Sequence, residues 1–106
     1  MTQPALVSII LTAQIPTWFK AALDSVLAQD YPNCEILIAD SSGDKFISAI
    51  LASVPESPAH PVRHLALGKN AENSYEKALG EAKGKYLKFI SDAELLSHDC
   101  ISTLVA

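Results

Sequence analysis

Residues 5–13, ALVSIILTA, form a nearly unbroken apolar and β-branched run. Such a run predicts a strand covered on both faces, because a half-exposed strand would alternate apolar and polar positions. The run therefore predicts a central strand in a layered α/β fold, and the rest of the chain must supply neighbours and two covering layers.

The following segments alternate in kind. Pro16 and Thr17 open a helical pattern in which Phe19, Leu23, Val26 and Leu27 share one face with Ala22. Pro32 in QDYPN ends that pattern, since proline cannot continue the hydrogen-bond ladder. CEILIAD (34–40) predicts a second strand, and Phe46, Ile47, Ile50, Leu51 and Val54 a second helical stripe. PESPAHP (55–61) predicts a surface loop and VRHLAL (62–67) a short third strand. A third helix is predicted over 71–82, with Asn70 as N-cap and Tyr75, Ala78, Leu79 and Ala82 inward. KYLKFIS reads as a buried fourth strand, and residues 95–105 as a last helix.

The order β-α-β-α-β-α-β-α requires right-handed crossovers. It predicts a three-layer α/β fold, a mostly parallel sheet with helices on both faces. Strand one is expected in the centre between strands two and four, with strand three outside strand two. Ligands of such sheets bind beyond the carboxyl ends of the strands. Polar residues stand at those ends: TAQ after strand one, DSSGD after strand two, GKN after strand three and SDAE after strand four.

Composition narrows the function classes. With 106 residues the chain is long enough for one core, and 49% hydrophobic against 19% charged residues describes a folded unit. A net charge of −4 provides no basic field, so no nucleic-acid partner is expected. The longest apolar run, Leu6 to Leu11, is far short of the roughly 20 residues of a membrane span, and no span is expected. Cys34 and Cys100 have no CxxC spacing; they read as small buried hydrophobes and fit a reducing, cytoplasmic setting.

Several chemistries are excluded by pattern. LTAQIPTWF has no glycine, so the GxGxxG fingerprint is missing after strand one, and no GxxxxGK[ST] occurs. No HExxH or CxxC suggests zinc. What remains is Asp40 after strand two and the acids Asp92 and Glu94 after strand four. Asp40 is placed to accept hydrogen bonds from a base or ribose, or to make an ordinary turn with Ser41. Asp92 and Glu94 are placed to hold Mg²⁺ or Mn²⁺, or to cap and begin the last helix.

Laid end to end, LVSIIL, ALDSVLAQDYPNCEILIADSSGD (22–44) and KALGEAKGKYLKFISDAELL (77–96) resemble the amino-terminal, nucleotide-sugar-binding half of a GT-A glycosyltransferase of family 2. The resemblance covers nearly the whole chain, and the block ALDSVLAQ-YPN-EI-I-D carries most of it. It implies a truncated GT-A fold in which residues 1–106 form one donor-binding domain. It implies transfer of a sugar from a nucleotide-diphosphate sugar to an acceptor hydroxyl, in polysaccharide or glycoconjugate biosynthesis, with a glycan or lipid-linked glycan as acceptor. Thr12, Asp40, Ser42 and Asp92 are the implied donor contacts, Asp92 and Glu94 the implied ligands of Mg²⁺ or Mn²⁺.

The match also departs from the family. Ser41 stands where a second acid is common, and Tyr75 and Glu76 where an Arg-Asn pair is usual. Ser91 and Ala93 occupy the positions of the two D-x-D aspartates, with Asp92 and Glu94 forming D-x-E one residue later. The catalytic base and acceptor site of the family lie beyond this region, so no catalytic residue is assigned and the isolated chain is expected to be inactive. The alternative expectation is a non-catalytic GT-A-like binding or scaffold module with a degenerate metal site.

Overall fold

The computed structural model describes residues 5–13, 16–41, 45–53, 60–66, 74–91 and 94–105. Four strands, β1 (Val7–Ala13), β2 (Cys34–Asp40), β3 (Val62–Ala66) and β4 (Tyr86–Ser91), form one sheet of order β3-β2-β1-β4. All three pairings are parallel. The helices are α1 (Pro16–Leu27), α2 (Lys45–Ala52), α3 (Ser74–Glu81) and α4 (Cys100–Val105). The predicted strand order holds, with β1 flanked by β2 and β4.

Both faces of β1 are covered, and this is why its apolar run does not alternate. Ile9 and Leu11 pack with Phe19, Leu23 and Val26 of α1, Ile47 of α2 and Ile101 of α4. On the opposite face Ile10 packs with Leu37, Ala39 and Ala78 of α3. Ser8 and Glu35 lie buried on that second face, where Ser8 Oγ donates to Glu35 Oε2 at 2.5 Å. The same carboxylate oxygen accepts from the Lys83 N–H at 2.6 Å, and Ser8 Oγ accepts from the Gly84 N–H at 2.8 Å. Two strands and the turn into β4 are thereby joined with both buried side chains hydrogen-bonded.

Three expectations require correction. β4 is not a buried strand: Tyr86, Leu87 and Phe89 are 41–44% exposed and Ile90 alone is fully buried. It lies at the edge of the described sheet, while α3 packs over β2 and β1. Leu79 is exposed rather than inward, because α3 meets the sheet through the small residues Ala78 and Ala82 and the next position along is rotated away.

The last helix begins at Cys100, not at residue 95. The backbone of residues 96–101 is instead held by side chains at the end of α1. Leu96 N–H donates to Ser25 Oγ at 3.1 Å, and Gln29 Nε2 donates to the Ser97 carbonyl at 2.7 Å. Gln29 Oε1 accepts from the Ile101 N–H at 3.0 Å. Residues 71–73, Asn70, the side chains of Phe46 and Tyr75, and Val54 lie outside the described residues.

Candidate functional site

The carboxyl edge of the sheet collects the polar residues singled out above. Thr12 near the end of β1 pairs across to Ala39 on one side and Ser91 on the other, and is 4% exposed. Ala13 pairs with Asp40, the last residue of β2. The Ser41 N–H donates to the Ala13 carbonyl at 3.2 Å, which fixes the start of the turn beyond β2. Parallel pairing forces β1, β2 and β4 to finish on one edge, so Asp40 and Ser91 share it, with Glu94 hydrogen-bonded to Ser91. Ser42 and Asp92 lie outside the described residues.

Asp40 is nearly buried, and its Oδ2 lies 2.7 Å from Nε2 of His64 on β3. Sequence reasoning missed this partner, having placed His64 only in a strand. The signal was the alternation of VRHLA. Val62 and His64 share a face, and aligning β3 with β2 sets His64 one step behind Asp40 on it.

Glu94 lies past the end of β4 in a non-helical stretch, so it does not sit in the first turn of a helix. Its Oε1 accepts from the Ser91 N–H at 3.0 Å, and its own N–H donates to the Ser91 carbonyl at 3.1 Å. The side chain closes the strand end into a turn. The hydrogen bond from the Ser91 backbone, then that from its side chain, with a smaller contribution from the Lys88 charge, holds the Glu94 carboxyl below the usual carboxylate range. Glu94 is thus an exposed, ionised oxygen donor at the carboxyl edge.

No group of three or more His, Cys, Asp or Glu side chains converges among the described residues. Mg²⁺ and Mn²⁺ sites that also take substrate phosphates need only one or two carboxylates, with water completing the shell. The hard oxygen of Glu94 fits that kind of partial site and does not make an all-protein cage.

The all-parallel sheet of order β3-β2-β1-β4, with helices on both faces, matches the GT-A glycosyltransferase fold. The family model for glycosyl transferase family 2 matches residues 9–106, and the chain belongs to that family. It is also similar in fold to the mannosyltransferase PcManGT from Pyrobaculum calidifontis, solved in complex with GDP-Man and Mn²⁺. That match has a TM-score of 0.77 at 21% identity and covers 98% of this chain. The chain spans 31% of the length of that mannosyltransferase. Comparison with curated proteins gave no match. No helix among the described residues is long and apolar enough to cross a membrane.

Proposed function

We propose that residues 1–106 are the donor-binding domain of a glycosyltransferase that uses a nucleotide-diphosphate sugar. The acceptor is a hydroxyl of a glycan or lipid-linked glycan, in polysaccharide or glycoconjugate assembly. One observation carries this reading: Asp40 and the Ser91–Glu94 turn flank Thr12 of the central strand on a single carboxyl edge. Family membership and the GDP-Man and Mn²⁺ in the related fold support it.

In this reading Asp40 accepts from the Watson–Crick edge of the donor base. An ionised carboxylate suits uracil or guanine, whose ring N–H faces outward, and repels the ring-nitrogen lone pair of adenine or cytosine. Thr12 and Ser42 are proposed as further donor contacts. Asp92 and Glu94 are the proposed ligands of Mg²⁺ or Mn²⁺, which when bound neutralises the departing diphosphate. The chain holds and orients the donor for displacement at the anomeric carbon. No residue of this chain is assigned as the base that deprotonates the acceptor.

A second reading, a GT-A-like scaffold module without donor binding, is favoured by Ser91 and Ala93 standing at the two aspartate positions. Calorimetry with UDP and GDP, with and without Mn²⁺, separates the two. The donor-binding reading expects affinity for at least one nucleotide that rises with Mn²⁺. Absence of binding under both conditions establishes the scaffold reading.

A further inference from the structure

His64 and Asp40 sit on adjacent, hydrogen-bonded strands and share a face. Ile38 pairs with His64 and Asp40 with Ala66, so the imidazole reaches diagonally forward to the carboxylate. The side chain of Asp40 is 6% exposed and that of His64 is 26% exposed. A carboxylate at neutral pH only accepts hydrogen bonds, so the 2.7 Å contact places a proton on Nε2 of His64.

We propose that His64 is a positioning residue for Asp40: by donating from Nε2 it fixes the plane of the carboxylate that meets the nucleobase. This rests on the reading of Asp40 as the base-contacting acid. The terminal torsion of aspartate is broad, and one anchored oxygen removes that freedom. A nearly buried carboxylate also loses hydration, and a charge-assisted hydrogen bond compensates for the loss. The imidazole is carried on β3 rather than on a loop, so the β2–β3 ladder sets its distance. Along that ladder the Ile36 N–H donates to the Pro61 carbonyl at 2.8 Å, just ahead of the first paired residues. Orientation by a neighbouring strand achieves what side chains outside a metal shell achieve for its ligands.

The test is a double-mutant cycle on nucleotide affinity, using whichever of UDP and GDP binds the wild type more tightly. His64→Leu is expected to weaken binding about tenfold, the scale of one lost hydrogen bond to a charged group. His64→Gln keeps an N–H donor at the same reach and is expected to recover most of that loss. In the Asp40→Ala background His64→Leu is expected to cause no further loss, because its effect runs through the carboxylate. A residue that merely supports the fold would weaken both backgrounds alike. Wild-type affinity in His64→Leu, or an additive loss in the double variant, overturns the proposal while leaving the donor site standing. Wild-type affinity in Asp40→Ala overturns the base-contact reading itself, and this proposal with it. Should His64→Leu fail to fold, His64→Gln alone and combined with Asp40→Ala decides the matter, since a loss in the combined variant beyond that of Asp40→Ala alone contradicts the proposed route.

Discussion

The side-chain amide of Gln29 bridges Ser97 and Ile101, donating to the carbonyl of the first and accepting from the N–H of the second. This contact explains why residues 94–99 are not helical and the last helix begins at Cys100. The backbone groups that a helix would have paired internally are satisfied from the end of α1. The Asp30 N–H adds to the same seam, donating to the His98 carbonyl at 2.9 Å.

Gln29→Leu is expected to destabilise the protein by about 1–3 kcal/mol, because the Ile101 N–H loses its partner while the Ser97 carbonyl keeps the Cys100 N–H. Urea denaturation measures it, and an unchanged midpoint would show that water replaces the amide.

Gly84 has no room for a side chain. A Cβ there would lie 2.5 Å from both N and Oγ of Ser8 and 3.0 Å from the Leu6 carbonyl oxygen. Two of those atoms are backbone and cannot rotate aside. Gly84→Ala is expected to cost roughly 3 kcal/mol through overpacking. The control is Gly80→Ala, which meets nothing within 4 Å. If the two variants have equal urea midpoints, the close approach is not a constraint.

Burial pushes the Cys34 thiol up from near 9 to about 11. A group whose folded pKa is raised contributes stability that is intact below its unfolded pKa and is lost as pH rises through the folded one. The protein is therefore expected to lose stability between pH 9 and 11, and Cys34→Ala to lose less over that window. Tyr31, also raised chiefly by burial, adds to the same alkaline loss. Denaturation midpoints stepped across that range, flat for both proteins, would contradict it.

Glu94 works in the opposite direction. Its carboxyl is held low by Ser91, so the turn it closes is intact above the ordinary carboxylate range and opens as pH falls through the lowered value. The amide proton of Ser91 is expected to shift during acid titration below pH 4.5, and Glu94→Gln to remove that titration. A Ser91 resonance that titrates identically in both would place its partner elsewhere.

Much of the fold was legible because β1 carries an unambiguous pattern. The run around Ile9 and Ile10 has no polar face to expose, and that demands neighbours and cover on every side. The same logic failed at β4, whose Tyr86, Leu87 and Phe89 look as apolar as β1 but lie at the described edge. Hydrophobicity states what a strand tolerates, not what covers it. Leu95 was read into a helix because local pattern cannot foresee that Ser25 and Gln29, some 70 residues earlier, satisfy the backbone there. Asp40 was legible from its place at a strand end. His64 became visible only when β3 was registered against β2.

The strand order has a temporal consequence. Ser8 meets Glu35 across 27 positions, but it meets Gly84 across 76. A ribosome adding about 5–20 residues per second makes β1 wait roughly 4–15 s for the turn that precedes its last partner. During that interval β1, β2 and β3 assemble in sequence, while the flank of β1 destined for β4 has no strand to pair with. The nascent chain thus carries its most apolar strand half-paired until β4 has been made. Chaperone engagement is expected to be strongest after β2 emerges and to end when Tyr86–Ser91 docks.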